Sequence, residues 1–213
     1  METRERIVRS AARLFITRSY QSVGISDLCA TADVRKGSFY HFFASKADLA
    51  KTVVDLHAAE LERSLGEVDE DDPAARLLAV ADAVTLVQRT FEEQFGRIVG
   101  CPFGNLAAEL STTDEELRAH VAAVLTRWEA HLAAACRHAA AHGVLREGVE
   151  PDLLAHLTLA QIQGLILLAK VSGAPASQIT TGLRAFLDLN LREPAENRPR
   201  TDPGHQAGSR QGK

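Results

Sequence analysis

The stretch Ile25-Ser26-Asp27-Leu28-Cys29-Ala30-Thr31-Ala32-Asp33-Val34-Arg35-Lys36-Gly37-Ser38-Phe39-Tyr40-His41-Phe42-Phe43-Ala44-Ser45-Lys46-Ala47-Asp48-Leu49 decides the fold. Ile25, Leu28, Cys29 and Ala32 recur at a helical period and share one face. Asp27 stands in the first turn, where the helix dipole favours an acid. Asp33 tolerates the left-handed backbone a tight turn requires, and Val34 supplies a buried contact that sets the angle to the next helix. In that second helix Val34, Phe39 and Phe42 or Phe43 turn inward while Lys36, Ser38, Tyr40 and His41 point outward. Ser45 then reads as the N-cap of a third element, with Asp48 three residues on as an acidic capping-box variant. Two short helices about a tight turn, followed by a capped helix, are the layout of a helix-turn-helix that reads DNA.

The outward residues carry suitable chemistry. Lys36 and Ser38 reach phosphates or base edges, the Tyr40 hydroxyl is a phosphate donor, and Gly37 lets the backbone approach DNA closely. Lys46 lies beside the free amides of a helix start, where a phosphate docks. The competing reading, aromatics as plain core and charges as a solvated face, explains single residues but not the combination.

At this point the chain resembles the tetracycline-repressor (TetR) family of bacterial regulators. The match spans about residues 3 to 52, through Asp27-Leu28-Cys29, Ala32-Asp33-Val34-Arg35-Lys36-Gly37-Ser38-Phe39-Tyr40-His41-Phe42-Phe43, Ser45-Lys46 and Asp48-Leu49. The resemblance implies that Gly37 to Phe42 enter the major groove, that Tyr40 and Lys46 clamp phosphates, and that the protein represses. Three positions depart from the family pattern. Asp33 replaces the usual turn glycine, Arg35 a small residue or proline, and Val23-Gly24 the frequent threonine-containing cap. Arg35 thereby adds a candidate DNA contact.

Formal charge is −4 over 213 residues, which by itself argues against nucleic acid, but its distribution reverses that argument. Residues 1–51 hold nine Lys or Arg against five Asp or Glu, a balance of +4, and the remainder holds 15 against 23, a balance of −8. Positive charge gathers where DNA would lie. No stretch is read as approaching the roughly 20 apolar residues of a membrane span, and the arginine-rich start lacks a signal-peptide core, so a cytoplasmic protein is expected. Three widely spaced cysteines fit free thiols better than a disulfide framework.

An apolar fraction of 46% supplies an ample core. After Leu49 the text stays rich in Ala and Leu, and the fold class expected is all-α. Breakers place helices at about 46–65, 73–94, from Asn105, from Thr113 or Asp114 to His142, 151–171 and 177–191, six beyond the three of the head and so about nine in total. The expected domains are a DNA-binding head over 1–47, an effector-binding and dimerisation body over 48–192, and a disordered tail over 193–213 with almost nothing to bury. From Leu153 to Val171 the only formal charge is Lys170, and Ala155, Ala160, Gly164 and Ala169 allow close helix approach. Either this helix is central to one bundle, or the last two helices pair with their copies in a four-helix homodimer interface. A single reading helix contacts too few base pairs for useful specificity, so a dimer on a palindromic operator is expected.

The motif Gly100-Cys101-Pro102-Phe103-Gly104-Asn105-Leu106-Ala107-Ala108-Glu109-Leu110 is the second place where residues look chosen. Cys101 precedes a helix start, which favours thiolate over thiol, against the plain alternative of a small buried hydrophobe. With Val23-Gly24-Ile25 and Lys36-Gly37-Ser38-Phe39-Tyr40, the motif is similar to a TetR subgroup containing repressors of electrophile-detoxifying reductases. In some members of that subgroup the matching cysteine senses electrophiles or oxidants. Lys170 is the expected cation beside the Cys101 thiolate; its alternatives are the helix dipole or solvent. Cys29 and Cys136 are read as structural. An adduct at Cys101 or a bound small-molecule effector, an electrophile among the candidates, would shift the spacing of the two heads and release DNA. The alternatives are a repressor gated by a non-covalent hydrophobic ligand with Cys101 inert, and a thiol enzyme with Cys101 as nucleophile and His120 as base. His131, His138 and His142 share a helix face but lack the further ligands of a metal site, so neither metal nor cofactor is expected.

Overall fold

The computed structural model describes residues 2–66, 72–110 and 113–192. Among these are nine helices, α1 Thr3–Thr17, α2 Ile25–Ala32, α3 Lys36–Phe42, α4 Lys46–Gly66, α5 Pro73–Phe95, α6 Pro102–Leu110, α7 Glu115–Ala141, α8 Pro151–Ser172 and α9 Ala176–Asp188. The expected tail over 193–213 and most of the acidic turn before Pro73 lie outside the described residues.

The boundaries follow local chemistry. Asp72 caps α5 by accepting from the Ala74 amide at 2.9 Å, with Pro73 at the first helical position, where its missing N–H costs nothing. Asp114 caps α7 through the Leu117 amide at 3.0 Å. Ser45 accepts from the Asp48 amide at 3.0 Å, while the Asp48 carboxylate reaches back to the Ala44 amide at 3.1 Å, one residue before the expected reciprocal bond. Two boundaries differ from expectation. α6 starts at Pro102 instead of near Asn105, because Pro102 opens the helix and the Cys101 carbonyl accepts its first bond, from the Asn105 amide at 2.8 Å. α9 stops at Asp188 because the chain turns back to form a one-residue antiparallel bridge between Leu145 and Leu191, too short to leave a sequence period.

Helices α1 to α3 form the head, with α1 packed on α2, α3, α4 and α6. Its centre is Phe39 and Phe43, rings 6.0 Å apart, over Ile7, Ala11 and Leu28. Phe43 is therefore the inward aromatic of the pair left open by sequence, and Phe42 is exposed. The buried Leu49, Ala50, Val53 and Val54 of α4 continue this core into the body, so apolar packing runs across residue 47 without interruption.

In the body α8 lies between α7 and α9, and α5 packs on α9 and α7. Helix α8 corrects the reading that nothing resembles a membrane span: within its 22 residues an 18-residue stretch reaches a mean hydropathy of 1.5, enough by length and composition to cross one. Leu154, Ala155, Thr158, Leu159, Ile162, Ile166 and Ala169 face the protein's own core. Leu153, Leu157, Ala160, Leu167, Leu168 and Val171 are exposed on the protomer. Ala155 and Ala169, read as interface spacers, belong to the inner face, whereas Ala160 and the half-buried Gly164 lie along the outer one.

Candidate functional site

The turn of the reading head is held from both sides. Asp33 adopts φ 52°, the left-handed conformation expected at the turn. From α1, Arg6 donates to the Ala32 carbonyl at 3.1 Å and to the Asp33 carbonyl, closing the C-terminal end of α2 with a cation that also suits the helix dipole. Nothing in the sequence singled out Arg6 from the other arginines of α1. At the start of α2, the Asp27 carboxylate accepts from the Gly24 amide at 2.9 Å.

Phe39 anchors α3 and orients what surrounds it. The Tyr40 ring stands edge-on to Phe39 at 5.3 Å, and 55% of Tyr40 is exposed. Arg35, Lys36, Gly37 and His41 are exposed and Ser38 is half-buried, so the outward set named from sequence lies on one accessible helix. A Cβ added at Gly37 would meet nothing within 4 Å, so no packing inside the chain requires glycine there.

Lys46 behaves differently from expectation. Its ammonium donates to the carbonyls of Tyr20 and Val23, both at 3.1 Å, and sits 4.2 Å from the centroid of the Tyr20 ring. In this conformation it braces the loop between α1 and α2 instead of standing free beside the amides of α4. The carbonyls and the aromatic face supply the partners that a partly buried cation needs.

The same loop is gripped from the body. Glu109, near the end of α6, accepts from Ser19 Oγ at 2.5 Å, the Tyr20 amide at 2.8 Å and the Gln21 amide at 2.6 Å. Burial opposes ionisation of this carboxyl, but the donors from Ser19, Gln21 and Tyr20, with the charge of Lys46, outweigh it and hold its pKa below the ordinary glutamate value. Burial, followed by the charges of Asp114 and Glu109, pushes the Tyr20 phenol up to about 12, so it stays neutral. Glu109 was within the quoted motif, yet its partners lie about 90 residues away and leave no local pattern.

At the other end of α6 the motif explains itself. Gly100 has φ 105°, and a Cβ there would fall 2.6 Å from the Asn105 side chain. A Cβ at Gly104 would fall 2.6 Å from Gln163 Oε1, so glycine is what admits Gln163 of α8 to the helix start. Gln163 Nε2 then donates to Cys101 Sγ at 3.5 Å. Asn105 ties the preceding turn down through the Val99 carbonyl at 3.0 Å and receives Lys170 Nζ on Oδ1 at 3.0 Å.

Two expectations about Cys101 are thereby corrected. Lys170 binds Asn105, and the side chain on the sulfur is Gln163. The thiol is buried, and desolvation raises its pKa against the weaker lowering effects of Gly104, Gln163 and Phe103. In a low-dielectric site the helix start does not compensate a thiolate for lost water. The group is a thiol at neutral pH, and with iodoacetamide at pH 7.5 it should react about tenfold or more slowly than a free cysteine. The enzyme reading also loses its base, since His120 pairs with Asp55 at 2.8 Å and lines neither of the cavities that Cys101 borders. Burial likewise pushes the Cys136 thiol up to about 11. On the last turn of α7 the His138 and His142 rings lie 4.3 Å apart, and His142 Nδ1 lies 2.9 Å from the His138 carbonyl.

Between α1, α4, α5, α6 and α7 lies a cavity of ≈ 570 Å³, lined by Val84, Gln88, Phe91, Phe103 and Trp128 among others. A second, of ≈ 780 Å³, runs along α6 and α8 by Asn105, Glu109, Gln163 and Lys170. Cys101 borders both.

A helix-turn-helix head joined through α4 and α6 to an all-helical body, with a cavity where the two meet, is the architecture of a DNA-binding regulator. Residues 7–53 match the family described as bacterial regulatory proteins, tetR family, and residues 73–185 the tetracyclin repressor-like C-terminal domain. Transcriptional regulator AcuR of Cereibacter sphaeroides is 31% identical over 172 residues, covering 79% of this chain and 77% of that one. The transcriptional repressor DhaR of a Mycobacterium species is 27% identical, covering 79% of this chain and 82% of that one. The crystal structure of Escherichia coli NemR in its reduced form superposes with a TM-score of 0.75 at 28% identity, covering 91% of this chain and all of that one. The chain belongs to the TetR family of transcriptional regulators, and it is a regulator rather than an enzyme.

Proposed function

We propose that the protein is a homodimeric, cytoplasmic repressor that binds a palindromic operator through α3 and is released when a small-molecule effector occupies the ≈ 570 Å³ cavity. The observation that carries this reading is the Glu109 grip on Ser19, Tyr20 and Gln21, because α6 forms cavity wall at Phe103 and holds the head at Glu109. Displacement of α6 by a ligand would turn the head and alter the separation of the two α3 helices, which must fit successive major grooves. Repression is supported by the likeness to DhaR, a transcriptional repressor.

In this reading Arg35, Lys36, Gly37, Ser38, Tyr40 and His41 face DNA, and Lys46 acts by bracing the α1–α2 loop until a phosphate competes for it. Gly37→Ala separates DNA contact from folding. Alanine is the better helix former by about 0.5–1 kcal/mol, and it meets no neighbour in the chain. The variant should melt no lower than the parent yet bind operator about tenfold or more weakly, as read by a thermal melt and by fluorescence anisotropy on DNA from upstream of its own gene. Equal operator affinity would remove α3 from the interface.

A second reading is favoured by the position of Cys101 on both cavities: a reagent that enters meets the sulfur, and modification would dislodge Gln163 from the start of α6. This would place the chain with the electrophile-responsive subgroup. Cys101→Ser decides between the two. Under non-covalent gating it leaves induction intact, and under covalent gating it leaves the protein on DNA when methylglyoxal or a quinone is added.

A further inference from the structure

The lining of the ≈ 570 Å³ cavity is divided by charge. Its acidic and basic side chains all lie on α1 and α4: Glu5, Arg9 and Arg13 on the first, His57, Glu60 and Arg63 on the second. From α5 to α8 the described lining contributes none, and Val84, Phe91, Phe95, Phe103, Trp128 and Ile166 make that side apolar and aromatic. The rings of Phe91 and Phe95 lie 6.2 Å apart, and Phe103 stands edge-on to Trp128 at 6.5 Å. Such a wall favours an apolar group over water, whereas the opposite wall favours a charge. On α1 the lining residues Glu5, Val8, Arg9, Ala12, Arg13 and Ile16 recur at a helical period, so the charged wall is one face of a helix of the reading head.

Pairing on the charged side sets the sign of its ligand. Glu5 is joined to Arg9 at 2.8 Å and Glu60 to His57 at 3.2 Å. The Glu60 carboxyl is held below its ordinary pKa chiefly by the bond from His57, and against burial the charges of His57, Arg63 and Arg9 add to the effect, so cations of α1 and α4 converge there. Both acids are thus occupied, while Arg13 and Arg63 have no ion-pair partner among the described residues. Arg63 also suits the last turn of α4, where a cation complements the helix dipole, but Arg13 in the middle of α1 has no such reason. Both are exposed, so they meet a ligand as rim groups without the cost of burying an unpaired charge. A cationic ligand would add to three guanidiniums, and an anionic one would offset them.

We propose that this cavity takes an amphipathic carboxylate, its charged end at Arg13 and Arg63 and its apolar body against Phe91, Phe103 and Trp128. A guanidinium offers a carboxylate two parallel N–H donors, a charge-assisted pair that a neutral amide does not form. The assignment rests on the reading of this cavity as the effector site and names the class of molecule. It also adds a second path to the head. Helix α6 reaches the head through Glu109, whereas Arg13 belongs to α1, so the charged end of the ligand bears on the head directly.

Isothermal titration of the full chain at neutral pH with three probes of matched shape tests this: 4-tert-butylbenzoate, an anion, 4-tert-butylbenzamide, which is neutral, and 4-tert-butylbenzylammonium, a cation. The benzoate should bind about tenfold or more tightly than the amide, and the ammonium most weakly. Arg13→Gln with Arg63→Gln should bring the benzoate to the affinity of the amide. Both replaced side chains are exposed, so this variant should melt with the parent, which checks its fold. Arg97→Gln with Lys170→Gln, two cations of the second cavity, should leave the preference for benzoate unchanged. Equal affinities, preference for the ammonium or no binding of any probe would overturn the assignment. So would a preference that survives loss of Arg13 and Arg63, or one that vanishes with Arg97 and Lys170. Operator anisotropy with each probe separates the assignment from the effector reading. Equal release by all three would sink the assignment and keep the effector site. Selective benzoate binding that leaves DNA bound would keep the assignment and sink the effector site.

Discussion

Leu157→Glu combined with Leu167→Glu should convert the protein to a monomer and weaken operator binding by at least about 100-fold if the two protomers pair along α8, because each carboxylate would then stand unpaired in an apolar interface. On α8 the outer residues Leu153, Leu157, Ala160, Gly164, Leu167 and Val171 follow alternating steps of four and three, the spacing of a helix seam that packs on another helix. Leu167 is 58% exposed and Val171 78% exposed on the protomer. A Cβ on Gly164 would meet nothing within 4 Å, so no packing within the protomer requires glycine there, whereas close approach of a second helix would. On α9, Gln178, Thr181, Ala185 and Leu189 prolong the exposed strip. Both substituted positions face away from the protomer core, so the double variant should keep its helical circular dichroism. Sedimentation velocity reads the oligomer and anisotropy reads the DNA. A dimer that survives both glutamates would move the interface off α8.

Glu109→Ala should free the reading head from the body. It removes the acceptor of three hydrogen bonds, two of them from backbone amides. Bonds to a charged group in a partly exposed site are together worth about 2 kcal/mol, so amide exchange at Tyr20 and Gln21 should quicken by about thirtyfold, and operator binding should weaken with the lost head orientation. Glu109→Gln should fall between, since its amide retains an acceptor oxygen and loses the charge. The pH dependence has a definite sign. A carboxyl held below its ordinary pKa stabilises the folded state fully above about pH 4.5, and this contribution is lost as pH falls through the lower folded value. The grip should therefore be flat between pH 6 and 8 and loosen in acid. Unchanged exchange at Tyr20 and Gln21 in the alanine variant would mean that Lys46, not Glu109, holds the loop.

These two results concern different kinds of information. Period and capping in the chain determined the nine helices, since Asp33, Ser45, Asp72 and Asp114 act on backbone groups within four residues of themselves. The outward row on α3 was equally legible, because Phe39 and Phe43 mark the buried side of the same short segment. A family resemblance over residues 3 to 52 pointed to the same head, and matches over 7–53 and 73–185 extend it to the body.

What failed was partnership between distant segments. Lys170 and Cys101 each looked suited to the other, yet Asn105 takes the ammonium and Gln163 the sulfur, because Gly104 leaves room for one side chain and α8 delivers Gln163 into it. Lys46 carries the charge for a phosphate but finds two loop carbonyls at hand. The state of the Cys101 thiol depended on a contest between helix-start amides and desolvation, and only depth of burial decides it. Sequence by itself determined the helices, their polar and apolar faces and the reading row, since those arise from groups a few residues apart. The tertiary structure alone decided that α6 links cavity to head and that Gln163, not Lys170, meets Cys101, because such contacts depend on which helices meet.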